Sequence, residues 1–573
     1  MDLGSIGNVV KTDLLVISGG VGGLYAAIKA KQAGVENVLI VDKGAVSLTN
    51  QFQFGGWYTI FLLPGDDPDE WLKGFIAGQQ GMCPQDKIGK LLDESAARLR
   101  ELEGMGLTYP RDVETGRYRR IPSRGLGPVK TLCPPNYKTH IGGPAVTAVL
   151  CRQARRLKVE FFEKTFVSDL IVADGRVQGA VGRHRRTGEF HIFQARAVVV
   201  AGGDCSFRGN YAAVEQTTGD AFAIAYRAGV DLTNMEFLVC NTGPVDFSLR
   251  GTGPLAKLGA VFRNSAGEDF LRDYHPDGSG ADCSCIVQGM AAEVKRHHGP
   301  PFYFDMTPTP AETESQFLSE GGWMARNLIR LKERNISVFD RRVEWVPVIQ
   351  TLRGGLHTDA NCMTNVAGLF AAGTANSTGP GLFTGWSSAK CMWSGATAGR
   401  CAANFINGGE APTPDADQIH RLRSRLFNRT IGSNTSDTTV NAVTRNLQEA
   451  LFSYDVSILK HEDRLLQTKE NLRAIRENDL SRAGVPNLHD FVRFKETENM
   501  FLVADLFLNA SILRRESRAD HRREDYPERA DWQWLKWIVH NKNLESGYRF
   551  EEFPWSKYKY GLAELASAGE TAA

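Results

Sequence analysis

The stretch DLLVISGGVGGLYAAIKAKQAGVENVLIVD, residues 13–42, decides the fold. It opens with a short apolar run, Asp13 to Ile17, which leads into the glycine-rich turn Ser18-Gly19-Gly20-Val21-Gly22-Gly23. Leu24 to Gln32 then read as helix, and Val38 to Val41 as a second strand ending on Asp42. Strand, tight turn, helix and strand with a terminal acid, all within 30 residues, predict a Rossmann-type βαβ unit that holds a dinucleotide. Glycines in such a turn allow a sharp bend, close approach to a pyrophosphate and close helix–sheet packing, and the helix N-terminus adds unsatisfied N–H donors. Gly20 and Gly23 fit the last two glycine roles and Gly22 loosens the turn, while Ser18 stands at the first glycine position of the G-x-G-x-x-G frame. Asp42, 22 residues after Gly20, is expected to accept hydrogen bonds from an adenosine ribose.

Two more strands run into glycine further along the chain. Ala195 to Val200 lead into Ala201-Gly202-Gly203, and Leu369 to Ala372 lead into Gly373 and Thr374. The three junctions are predicted to converge on one ligand at the carboxyl ends of sheet strands. A hairpin is expected around Gly175 to Gly179, and Thr218, Gly219 and Asp220 read as the cap and first turn of a helix through Arg227. The fold class is therefore α/β: a Rossmann-type nucleotide-binding domain over 1–240 with a return segment at 356–410, and an inserted α+β capping domain over 241–355. A helical domain follows over 411–530, in which Val443 to Arg476 carry Leu447, Leu451, Val456, Leu459, Leu465 and Leu472 near helical spacing. The extension over 531–573 is rich in aromatic residues, which fit either self-packing or a cover for a partner subunit.

Composition narrows the class of protein. The 573 residues call for several domains, and 67 basic against 66 acidic side chains give no field for nucleic acid. No apolar span of membrane length and no secretory start is found, so a cytoplasmic location is expected. The ten cysteines show no C-x-x-C spacing. Cys283 and Cys285 are the one close pair, read as small packing residues, and no metal is assigned.

Several ordered segments resemble the flavoprotein subunits of the succinate dehydrogenase and fumarate reductase family, whose relatives include L-aspartate oxidase and the alpha subunit of adenylylsulfate reductase. They are Asp13 to Gly23, Gly55-Gly56, Ala201 to Gly203, Thr217 to Asp220, Asn234 to Phe237, Gly354 to Asp359, Gly368 to Gly373 and Glu516 to Pro527. The resemblance implies FAD as the dinucleotide, with Gly55 and Gly56 by the flavin ring and Thr218 and Asp220 near it. Members that bond flavin covalently carry a histidine shortly before the glycine pair. Here no histidine occurs in the first 139 residues, so FAD is expected to be non-covalent.

The same resemblance exposes departures. Asn241 and Gln350 fall where relatives carry histidines, Ile286 falls at their proton-transfer arginine, and the substrate arginine has no counterpart in Phe383 to Lys390. Neutral Asn, Gln and Ile cannot bind and stabilise two carboxylates, so succinate and fumarate are not expected as substrates. Phe52, Phe54, Trp57, Phe383, Trp386 and Trp393 suggest room for a larger, less anionic or aromatic substrate. Arg353, His357, Lys390 and Asn241 are the catalytic candidates: the first two flank Gly354-Gly355, and Lys390 could counter charge near reduced flavin. Arg514 to Glu524, including Arg518 and His521, read chiefly as a paired structural network.

The leading expectation is hydride transfer between FAD and a small organic substrate, with electrons passed to a separate electron-transfer or iron–sulfur protein. A homo-oligomer is also compatible. Three other readings stay open: a sulfur-redox subunit like adenylylsulfate reductase, a flavin-bearing assembly subunit without turnover, and an oxygen-using oxidase or monooxygenase. The exposed part of the aromatic tail is the expected docking surface.

Overall fold

The computed structural model describes the chain except residues 1–2, 47–56, 250–254, 256–258, 311, 321, 408–411, 433–437 and 566–573. The βαβ unit forms as β1 (Asn8–Ile17), α1 (Val21–Gln32) and β2 (Val38–Val41). Helix α1 starts three residues before the predicted Leu24, because Gly22 and Gly23 lie inside its first turn. A short strand β3 (Glu160–Phe162) precedes the hairpin of β4 (Thr165–Ala173) and β5 (Arg176–His184), and the long β6 (Phe190–Val200) follows. The hairpin turns on Asp174 and Gly175, at φ 50° and 69°, as a two-residue turn with both centres left-handed requires.

The strands lie in the order β3-β2-β1-β6-β5-β4. β1 is parallel to both β2 and β6, and its buried end is apolar without alternation because both faces are covered. Side-chain alternation splits that run. Leu14 and Val16 join a core with α1, while Leu15 and Ile17 join a second core shared with the helical domain.

After α2 (Asp220–Arg227), the inserted domain builds an antiparallel sheet from β7 (Leu238–Pro244), β8 (Val261–Arg263), β9 (Phe302–Asp305) and β10 (Val343–Leu352). Its order is β7-β10-β9-β8, and α3 (Cys283–Lys295) packs against it. Leu238 pairs with Leu352, so the chain enters and leaves the insertion on neighbouring strands, and the border expected between 240 and 241 falls inside β7. Cys283 and Cys285 open α3 and do not lie on a strand; two positions apart on a helix, they do not face one way. No cluster of three potential metal ligands occurs among the described residues.

The return strand β11 (Leu369–Ala371) adds in parallel to Val198–Val200 of β6, and α4 (Trp386–Asn407) then lies along α1. The contact is close because a Cβ on Gly399 would stand 2.2 Å from the Ala26 carbonyl oxygen. The helical domain contains α5 (Val440–Leu451), α6 (Glu462–Asn478) and α7 (Leu488–Leu513). The amphipathic run expected from Val443 to Arg476 is thus two helices. It breaks at a π turn over Tyr454–Ile458 and a two-residue strand, Leu459–Lys460, that pairs with Arg522–Arg523.

The aromatic tail packs back on its own chain. Its strands β12 (Lys536–His540) and β13 (Tyr548–Glu552) share a four-stranded sheet with Leu232–Thr233 and Gly355–Leu356. Leu535, Trp537, Val539, Phe553 and Tyr558 bury against Met82 and Phe237, while Trp532 and Phe550 stay exposed. No helix among the described residues is long and apolar enough to cross a membrane.

Candidate functional site

The three strand-to-glycine junctions meet. Ser18, Gly20, Gly22 and Asp42 from the βαβ unit, Gly202 and Gly203 after β6, and Gly373 and Thr374 after β11 all line one cavity. A Cβ on Gly22 would lie 2.8 Å from the Gly373 nitrogen, which measures how tightly two of these turns are pressed together. α1 begins at Gly20 with no side-chain cap, so the N–H groups of its first turn are left for a ligand, as a pyrophosphate requires. Gly23 does not line the cavity; its place is structural, against the Ser18 carbonyl.

Ser18 sits at φ 83°, a region that favours glycine, which explains why the frame usually has glycine there. Asp42 offsets the strain. Its Oδ2 accepts from the Gly19 N–H at 2.7 Å and from the Ser18 hydroxyl at 3.1 Å, and its Oδ1 accepts from the Gly44 N–H at 2.7 Å. The acid expected to meet a ribose thus also braces the phosphate turn, while still lining the cavity.

Thr218 and Asp220 are absent from the cavity wall and turn to Lys43 instead. The Lys43 ammonium donates to Thr218 Oγ1 at 2.9 Å, Asp220 Oδ2 at 2.7 Å and Glu496 Oε1 at 2.8 Å, and Lys43 itself lines the cavity. Burial would raise the Glu496 carboxyl, but Lys43 and Arg208 outweigh it and hold the group down at about 2. The helical domain is thereby pinned to the cavity wall by an ion pair. Gly55 and Gly56, with Phe52 and Phe54, lie outside the described residues.

On the substrate side, the structure brings Arg353 and Lys390 together. Both are buried, Arg353 just after β10 and Lys390 in α4 beside the cavity residue Cys391. Burial and then the Arg353 charge hold the Lys390 ammonium well below the usual lysine range, and Asp204, next to Gly203, acts on both groups. Asp204 also accepts the Thr351 hydroxyl at 2.5 Å.

Asn241 is engaged by protein. Its amide donates to Gln350 Oε1 at 3.0 Å and to the Tyr211 hydroxyl at 3.3 Å, and its oxygen accepts from the Cys283 thiol at 3.4 Å. Asn241 and Gln350 therefore hydrogen-bond to each other.

His357 is not brought to the other candidates. Its Nε2 stands 3.3 Å from Glu551 of β13 and its ring packs on Trp537 at 4.7 Å, which makes it an anchor for the tail. The adjacent Gly354 and Gly355 press on Met235 and on the Ala375 carbonyl oxygen, so their lack of side chains serves packing within the chain. Trp57, Trp386 and Trp393 are core residues with Phe383 at the edge of the same core, and Trp386 stacks obliquely on Phe75 at 5.0 Å. These aromatics support α4 and do not shape an open aromatic pocket.

Sequence reasoning missed Lys43, Asp204 and Asp520. Lys43 and Asp204 each adjoin a predicted site residue, which was the available signal. Asp520 lies between alanine and histidine in a segment that also holds Glu516 and Glu524, and nothing local sets it apart from them.

Comparison with known proteins matches this geometry. Residues 13–384 match the FAD binding domain family, and residues 444–558 match the fumarate reductase flavoprotein C-terminal family. An uncharacterized FAD-dependent oxidoreductase of Methanocaldococcus jannaschii is 27% identical over 91% of this chain and 95% of its own length. A fumarate reductase (CoM/CoB) polypeptide of Methanothermobacter marburgensis is 28% identical over 93% of this chain and 97% of its own. The FrdA chain of E. coli quinol fumarate reductase superposes with a TM-score of 0.82 at 21% identity, covering 95% of this chain and 97% of that one, a likeness of fold. With the cradle of glycine turns, the uncapped helix and both family matches in agreement, the chain belongs to the succinate dehydrogenase and fumarate reductase flavoprotein family and is an FAD-dependent oxidoreductase.

Proposed function

We propose that the protein transfers a hydride between FAD and an organic substrate other than succinate or fumarate, with Arg353 and Lys390 on the substrate side. The observation that carries this is which side chains stand at these positions and what each one touches. Ile286 is packed in the core of the inserted domain and offers no proton, Asn241 and Gln350 bond to each other, and the buried basic side chains stand at Arg353 and Lys390. FAD, when bound, supplies the hydride chemistry. The chain's own part is to hold phosphates on the α1 N-terminus and the glycine turns, to exclude water behind the α4 core, and to set positive charge where an anionic group or developing charge needs it.

We read the attachment as non-covalent, since residues 47–56 contain no histidine. Acid or urea denaturation followed by filtration is expected to release all yellow colour from the polypeptide; colour retained on the chain would contradict this. A cytoplasmic site fits ten cysteines that are all free thiols. Electrons are read as leaving to a separate protein, because the one dinucleotide motif is occupied by the FAD site. Native mass measurement after gentle isolation, then flavin reduction followed with and without any co-purifying protein, tests that reading. Rapid cycling of the lone chain with NADH or oxygen would overturn it.

A further inference from the structure

The FAD cavity has two ends. Gly373, Thr374 and Cys391 line the end at β11, and Asp42, Lys43 and Gly44 line the end at β2, with the α1 N-terminus over β1 between them. Phosphates belong at the helix start and Asp42 is the acid placed for the ribose, so the adenine falls at the β2 end, beside Lys43 and Gly44. A base is held there by a flat group stacked on its face. None of the described residues lining the cavity is aromatic, and Arg185 carries the largest planar group among them.

Local structure sets Arg185 at this end. It is the first residue of the turn between β5 and β6 and is half-buried. Its main-chain N–H donates to the Lys164 carbonyl at 2.7 Å, and the Lys164 N–H donates to the Gly44 carbonyl at 2.9 Å, which staples the hairpin to the segment after β2. The side chain reaches the same segment, where Nη1 donates to the Lys43 carbonyl oxygen at 2.7 Å. This bond fixes the guanidinium without drawing it to a carboxylate. The Lys43 ammonium, in contrast, is claimed by Asp220 and Glu496.

We propose that Arg185 closes the adenosine end of the FAD site by stacking its guanidinium plane on the adenine ring. The delocalised charge meets the electron-rich face of the base. The bond to Lys43 holds the plane in place before the ligand arrives, so little side-chain freedom is lost on binding. Stacking of this kind strengthens FAD and gives nothing to FMN, which ends at its phosphate, so Arg185 sets the preference for the dinucleotide. The inference concerns the cofactor alone and stands whatever the substrate.

The FAD dissociation constant is measured on holoenzyme by dilution and ultrafiltration, and FMN is titrated as a competitor against bound FAD. Arg185→Ala is expected to weaken FAD by about tenfold, the size of one lost base-stacking contact, and to leave the FMN constant unchanged. Arg185→Lys keeps the charge and loses the plane, and is expected to be nearly as weak. Arg185→Phe keeps a plane and loses the charge, and is expected to return to within about threefold of wild type. Urea unfolding of each variant reports that the fold is kept. An unchanged FAD constant in Arg185→Ala, an equal loss for FMN, or wild-type affinity in Arg185→Lys with Arg185→Phe as weak as Arg185→Ala would each overturn the proposal.

Discussion

Gly23→Val is expected to purify nearly free of FAD, with a flavin-to-chain ratio at least about tenfold below wild type, and to be destabilised by about 3 kcal/mol or more. A Cβ at this position would lie 2.0 Å from the carbonyl oxygen of Ser18, a main-chain atom that no rotamer change can move. Relief requires α1 to lift from the strand ends, which takes its N-terminal donors away from the phosphate position. Gly20→Val separates binding from folding, because Gly20 lines the cavity at the helix start. That variant is expected to lose FAD while unfolding at a denaturant concentration close to that of FAD-free wild type. Absorbance at the flavin band against total protein, with urea unfolding of both variants, checks the pair; stoichiometric FAD in folded Gly23→Val would show that the turn is not where the cofactor is held.

The second large effect is expected at Glu516. Its carboxylate accepts from Arg514 Nη1 at 2.9 Å, from Arg518 Nε at 2.7 Å and Nη2 at 2.8 Å, and from the Ala530 N–H at 3.0 Å. All three charged side chains are fully buried. Arg514 also donates to Glu236 and to the main chain of Trp534 and Lys536, so this knot ties the helical domain, the flavin domain and the tail together. Glu516→Ala leaves two buried arginines short of a counter-charge and is expected to cost about 3–5 kcal/mol. Burial alone would raise the Glu516 carboxyl, but Arg518 and Arg514 outweigh it and hold it below its ordinary value. A depressed folded value means the contribution is fully present above the unfolded value of about 4.3 and is lost as pH falls through the folded one. Urea unfolding of wild type and variant should therefore differ by that amount near neutral pH and converge in acid; a variant as stable as wild type at neutral pH would show the knot to be dispensable.

What was legible in the sequence was whatever a short window contains. Asp13 to Asp42 carry their own strand, turn and helix signals, and Ala201 to Gly203 and Gly373 announce themselves as strand ends. Their meeting in one cavity follows from parallel pairing of β1, β6 and β11, which a Rossmann start already implies. The partners of single side chains were not legible. Asp220 looked like a cofactor residue, yet its carboxylate is taken by Lys43, 177 residues away. His357 looked catalytic beside two glycines, yet Glu551 of the tail claims it. The aromatic residues near α4 carry the same apolar signal whether they line a pocket or fill a core, and only the packing of α4 on Phe75 and its neighbours distinguishes the two. The network from Arg514 to Glu524 was readable as paired because its charges alternate within reach of one another, whereas Asp520 within it points to Ser284 in another domain.

We propose that this FAD-dependent oxidoreductase has kept the family fold and left the family's dicarboxylate chemistry. Rapid mixing tests it in both directions, with oxidised holoenzyme against succinate and reduced holoenzyme against fumarate, followed at the flavin absorbance band. Under that reading, with Ile286 in the core and Asn241 bonded to Gln350, no fast flavin change is expected in either experiment. Rapid, saturable flavin reduction by succinate or oxidation by fumarate would contradict it, because Asn241, Gln350 and Ile286 would then be shown to suffice for the chemistry they are argued to lack.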